Sequence, residues 1–234
     1  MEKILERFAG QIKSALGENL KAFVVYGSAA TGEIYKHSDY NTLMVMGTVD
    51  TNTLKHIAKP INEWVKKGQP IPLIFTRDSM LASVDIFPVE FLDIKENNIL
   101  LYGKDYFKTM KIDSKNLRLE IERELKSKLI RLRQSFILTG GNTAKIKILL
   151  IRSISTFIAL LKGVIRLYSK VAPIKKSDII EAAPKILKLN KDLFKRILSV
   201  KEQKSDFKQN EVESIFNEYM IEIERLADII DKKK

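Results

Sequence analysis

A change of periodicity near residue 113 constrains the fold of this chain more than any other feature. Before it, short β-branched and aromatic runs alternate with helical segments; after it, only helical spacing remains. Ala22 to Tyr26, Tyr40 to Gly47, Ile71 to Thr76 and Ile86 to Ile94 read as four strands. Met1 to Leu16 carries Ile4, Leu5, Phe8, Ile12, Ala15 and Leu16 at the spacing of one helix face, and Thr51 to Lys67 repeats the pattern, with Pro60 predicting a kink or a later start. Helices alternating with strands predict a sheet covered by helices. The expected fold class is therefore α+β: a mixed β-sheet domain with flanking helices over residues 1–113, then an all-α bundle over 114–234.

The second part reads as a series of helices. Asp113 or Ser114 caps the first, which runs to a stop at Gly140-Gly141; a long one follows from Thr143 to Tyr168. Ser177 and Asn190 are candidate caps for two more, and Val212 to Ile230 forms the last. The most apolar stretch, Ile146 to Leu161, is broken by Lys147 and Arg152 and falls short of the roughly 20 residues of a membrane span, so it reads as a buried helix.

Charge separates the two parts. Residues 1–113 hold 14 basic and 14 acidic side chains, whereas 114–234 hold 27 and 15, so the net charge of +12 lies in the bundle. From Leu125 to Ser177 there are 12 Lys or Arg and no acid. On an ideal helix Lys145, Arg152, Lys162, Arg166 and Lys170 fall on one side, opposite Leu149, Phe157 and Leu161. This is either a solvated face or a contact for nucleic acid or another polyanion. The absence of cysteine excludes disulfides, thiolate metal sites and a cysteine nucleophile. The N-terminus lacks the pattern of a signal peptide, and the expected location is the cytoplasm with no membrane association.

The sharpest chemical signal is Phe23 to Met46, FVVYGSAATGEIYKHSDYNTLMVM. A strand runs into Gly27-Ser28, a short helical turn is expected, and Asp39 opens the next strand. Glycine at a strand end lets a ligand approach the backbone, helix-start amides favour phosphate, and Ser28 adds a hydroxyl. Strand alternation places Asp39 and Asn41 on one face and Tyr40 and Thr42 on the other. Two oxygen-bearing side chains facing a Gly-Ser loop suit a divalent cation that bridges phosphates.

This segment resembles the nucleotidyltransferase superfamily that includes DNA polymerase β and the kanamycin nucleotidyltransferases, whose motif is Gly-Ser, about ten residues, then Asp-x-Asp. Pro88 to Phe107 is similar to a stretch in bacterial predicted nucleotidyltransferases with helical C-terminal domains. The resemblance implies transfer of a nucleotidyl group from a nucleoside triphosphate such as ATP to a hydroxyl, with Mg²⁺ or Mn²⁺ held by Asp39, Asn41 and a third acid. It implies Gly27 and Ser28 at the phosphates, and basic bundle residues such as Lys128 or Arg131 at the triphosphate or the acceptor. The second motif acid is here the neutral Asn41, which weakens a metal site and puts turnover in question. Glu90 is the expected third acid, with Asp93 as substitute and pairing to a nearby Lys or Arg as the structural alternative.

Three classes stay open: a transferase, a non-catalytic nucleotide- or nucleic-acid-binding protein, and an antitoxin-like interaction protein. The positive bundle argues against an aminoglycoside acceptor. No Walker motif or nucleophile elbow is present, and His37 and His56 are read as surface residues. The acceptor, the base, the metal and the oligomeric state are not encoded in any recognisable motif.

Overall fold

The computed structural model describes residues 3–30, 39–169 and 172–233. The chain divides into two compact units, Met1–Asp113 and Ser114–Lys234.

The first unit is a four-stranded sheet of order β3-β2-β1-β4, with β1 Leu20–Tyr26, β2 Asn41–Met46, β3 Leu73–Thr76 and β4 Asn98–Gly103. β1 runs antiparallel to β2 and β4, and β3 runs parallel to β2, so the sheet is mixed. The pleat sorts the apolar side chains. Phe23, Val25, Met44 and Met46 pack under α1 (Lys3–Leu16) and α2 (Thr51–Val65), where Trp64 stacks on Phe8 with ring centroids 4.2 Å apart. Ala22, Val24, Leu43 and Val45 face the other way, onto α3 (Arg77–Ala82), α4 (Pro88–Glu96) and the segment around Phe107 and Met110. Each buried Phe or Leu in these layers contributes about 1.5–3 kcal/mol.

Three sequence expectations are corrected here. Residues 86–94 do not form a strand: Pro88 begins α4, and the strand lies later, at Asn98–Gly103. Proline fixes φ and lacks the N–H that a ladder needs, so it suits the first turn of a helix. The buried residues Pro88, Phe91 and Ile94 follow helical spacing, not alternation. Pro60 neither delays α2 nor ends it, because the helix is fixed at its start by a capping box between Asp50 and Thr53. Position 56, whose carbonyl loses its donor to the proline, is exposed, and water can serve it. Ser177 is no cap; Lys175 holds that position, and the Ser177 hydroxyl donates to Asp178 at 3.0 Å.

The second unit comprises α5 (Ser114–Ile137), α6 (Thr143–Ser169), α7 (Lys176–Leu187), α8 (Lys191–Lys201) and α9 (Val212–Asp231). α6 is the hub and packs against the other four. It is the one described helix long and apolar enough to cross a bilayer, with half of its apolar window buried inside the bundle. Ile146, Leu150, Ile154 and Leu161 are buried, as expected of a core helix. Asn190 caps α8 by accepting from the Leu193 amide at 3.3 Å. Arg166 is 5% exposed and so leaves the solvated face assigned to it, in a helix on which the other four all pack. His37 and Lys170 lie outside the described residues; His56 is exposed, as read.

Candidate functional site

The site begins where β1 ends. Gly27 takes φ +75°, a left-handed conformation that only glycine adopts without strain, and turns the chain into the short 3₁₀ segment Gly27–Ala29. Its amide donates to the Asn97 carbonyl at 3.1 Å, and its carbonyl accepts from the Ala30 amide at 3.0 Å. Gly27 therefore offers a ligand no free amide of its own; what it offers is an approach unobstructed by a side chain. A Cβ built there would come 3.5 Å from Asn41 Nδ2, so the Asn41 amide borders that open space. Ser28 lies in the turn, and its side chain is outside the described part of the structure.

Asn41 opens β2 opposite Tyr26, with which it is in register. Around the start of β2, Tyr40 and Thr42 are buried, Asn41 is half-buried and Asp39, which precedes the strand, is exposed. Asn41 shares its face with Leu43, Val45 and Tyr26. That is also the face on which α4 packs, and α4 brings the remaining acids. Glu90 sits exposed in its first turn, and Asp93 is half-buried one turn on, accepting from Asn97 Nδ2 at 3.2 Å. Burial pushes the Tyr26 phenol up to about 12, and the charges of Glu90 and Asp93 push it the same way. Both carboxylates thus act electrostatically on the tyrosine that pairs with Asn41.

This revises the reading of Glu90. It is not a buried strand residue among apolar neighbours but an exposed acid at a helix start, a position the helix dipole favours for structural reasons alone. β3, the parallel neighbour of β2, carries Leu73, Ile74, Phe75 and Thr76 and adds no acid. No group of three or more His, Asp or Glu is placed to hold a metal among the described residues. One carboxylate and one neutral amide oxygen suit a single hard cation that completes its shell with water and phosphate oxygens. They do not suit a pair of divalent ions, whose mutual repulsion requires several carboxylates.

Lys128 and Arg131 lie on α5 and line a cavity of about 240 Å³ with Arg152 of α6. Lys128 also pairs with Glu124 at 2.9 Å. Helical spacing places Arg152 among the cations on one side of α6, and only the packing of α5 on α6 brings it to the other two. Tyr26 was likewise read as no more than a strand end, although its position one residue before Gly27 and its parity with Asn41 were available in the sequence.

This arrangement of a mixed sheet unit followed by a helical bundle is shared, at the level of fold alone, with a solved adenyltransferase. Among solved structures, that of spectinomycin adenyltransferase from Enterococcus faecialis with ATP and spectinomycin is similar, with a TM-score of 0.60 and 12% identity, over 98% of this chain and 99% of that one. The sequence matches no family model, and no curated protein matches it.

Proposed function

We propose that this chain is a nucleotidyltransferase-like protein that binds a nucleoside triphosphate with Mg²⁺ or Mn²⁺ at the Gly27 end of its sheet. Transfer of the nucleotidyl group to a hydroxyl is impaired by Asn41. The observation that carries the reading is the open approach at the positive-φ Gly27, bordered by the Asn41 amide; Asp39, two residues earlier in the chain, is taken to share that side. The likeness in fold to an adenyltransferase solved with ATP supports it. Asp39 supplies the charge of the cation site and Asn41 a neutral oxygen; Glu90 or Asp93 completes the acidic side from α4. When bound, the cation would screen the phosphate charges. The chain's own residues seat the phosphates at the Gly27-Ser28 turn.

Calorimetric titration of ATP, GTP, CTP and UTP with Mg²⁺ into the native chain and Asp39→Ala tests this. Metal-dependent binding of at least one triphosphate, lost in Asp39→Ala, is the expected result. If a folded native chain binds none of the four, the reading fails. Pyrophosphate release on adding candidate hydroxyl acceptors then measures how much transfer survives.

A further inference from the structure

Several of the basic residues between Leu125 and Ser177 have a structural use. Lys126 pairs with Glu122 at 2.8 Å and Asp231 at 3.0 Å, Arg133 with Glu224 at 2.8 Å, and Lys147 with Asp206 at 2.6 Å. These partners come from α5, α9 and the loop before α9, outside the acid-free stretch. Arg131 and Arg152 are different: both are exposed, and neither has a carboxylate partner among the described residues. They line the same cavity from adjacent helices, with the half-exposed Lys128 beside them.

The lining has a consistent chemistry. Lys128, Arg131 and Ser135 are spaced as one stripe of α5, and Arg152, Ser153 and Thr156 as the facing stripe of α6. Beneath them Leu132 and Phe157, 3% and 2% exposed, form an apolar floor. Two guanidinium forks match the geometry of phosphate oxygens, hydroxyl groups add donors, and an apolar floor strengthens both by lowering the local dielectric. With Lys128 offset by Glu124, the cavity keeps about two positive charges, the complement of a phosphomonoester dianion. Its volume of about 240 Å³ lies just under the range of drug-sized pockets, roughly 300–1,000 Å³. A nucleic-acid strand would need cations tracking a groove and exposed rings for stacking. Here the cations converge on one concavity, and its ring, Phe157, is buried.

We propose that this cavity of the bundle binds the phosphoryl group of a small phosphorylated metabolite. The site stands apart from the nucleotide reading, since all its residues belong to the second unit and none is needed for the cation site at Asp39.

The test uses the full chain, native and Asp39→Ala, with a chelator present so that no metal-dependent nucleotide binding contributes. Inorganic phosphate, glucose 6-phosphate, adenosine monophosphate and, as control, glucose are titrated calorimetrically. At least one ester should bind more tightly than inorganic phosphate, equally in native and Asp39→Ala chains, while glucose does not bind. Arg131→Gln and Arg152→Gln should each weaken that binding by about tenfold or more, the loss of one charge-assisted contact. Both residues are exposed, so an unchanged circular dichroism spectrum is expected. The proposal is overturned if no ester binds at millimolar concentration, if only inorganic phosphate binds, or if neither substitution matters. It is equally overturned if single-stranded RNA binds the bundle and the esters do not compete with it.

Discussion

Substituting Gly103 by alanine should unfold the first unit more readily than any other single methyl addition at its glycines. Gly103 ends β4 at φ +81° and pairs with Ala22 of β1. A Cβ there would lie 2.0 Å from the Lys21 carbonyl oxygen and 2.8 Å from its carbon, backbone atoms that cannot swing aside. The same oxygen accepts from the Lys104 amide at 3.0 Å, so separating the strands also costs a hydrogen bond. The left-handed conformation costs about 1–2 kcal/mol, overpacking about 1–3 and the lost bond about 1, offset by about 0.4–1 from the stiffer unfolded chain. The net is about 4 kcal/mol, which for a unit of this size lowers its melting temperature by about 16 °C. The assay is built into the protein: the single tryptophan, Trp64, is buried against Phe8 in this unit, so its emission during urea unfolding follows the sheet domain. Gly27→Ala serves as reference, since it has similar φ but its nearest neighbour is an ordinary 3.5 Å away, leaving only the conformational cost of about 1–2 kcal/mol. If Gly103→Ala shifts the Trp64 transition no more than Gly27→Ala does, the steric reasoning is refuted.

Gly27→Ala should also lose triphosphate binding while staying folded, a separation visible by calorimetry beside thermal melting. Asn41→Asp adds a carboxylate to the face that holds Asp39 and should tighten Mg²⁺ about tenfold, given that a charge pair at 4 Å is worth about 4 kcal/mol at an effective dielectric near 20 before desolvation; unchanged affinity would mean that Asn41 does not reach the cation. Because the folded Tyr26 phenol holds its proton to about 12, above its ordinary value of 10, its contribution to stability is full below pH 10 and is lost as pH rises through 12. Tyr26→Phe should flatten that decline in urea unfolding followed by Trp64 emission, and an identical slope would contradict the assignment. Lys188 ends α7 in the left-handed region at φ 52°, with its carbonyl accepting from Arg225, so Lys188→Gly should stabilise the bundle by up to about 1 kcal/mol in far-ultraviolet circular dichroism melts.

The parts of the fold legible in the sequence were those where a single period dominated. β1 and β2 stand out as unbroken apolar runs because each of their faces is covered by a different helical layer. The long α5 and α6 keep a helical stripe over more than twenty residues. Residues 86–94 read as a strand because apolar side chains there satisfy both periods locally, and Pro88 decides between them by what it cannot donate. At the candidate site, Gly27, Asp39 and Asn41 were visible because they are local in the chain. The contact of α4 with Tyr26 was not, since it depends on where a helix lands. The bundle charge was readable as a sum but not as a pattern. Lys126 has Glu122 one helical turn away, but its second acid and the partner of Arg133 lie 105 and 91 positions away, so which cations keep no partner emerges only after packing.

The closing role of α9 has a consequence for biosynthesis. Phe216 stacks on Phe136 of α5, Tyr219 lies against Phe157 of α6 and Phe194 of α8, and Asp231 reaches back to Lys126. The sheet unit contains all of its own core and is free to fold as soon as it leaves the ribosome. The helical unit must wait with the α5–α6 seam uncovered until α9 emerges. A nascent chain paused before Val212 would pair a finished sheet domain with an open, apolar and positively charged hairpin, the species on which a chaperone would act.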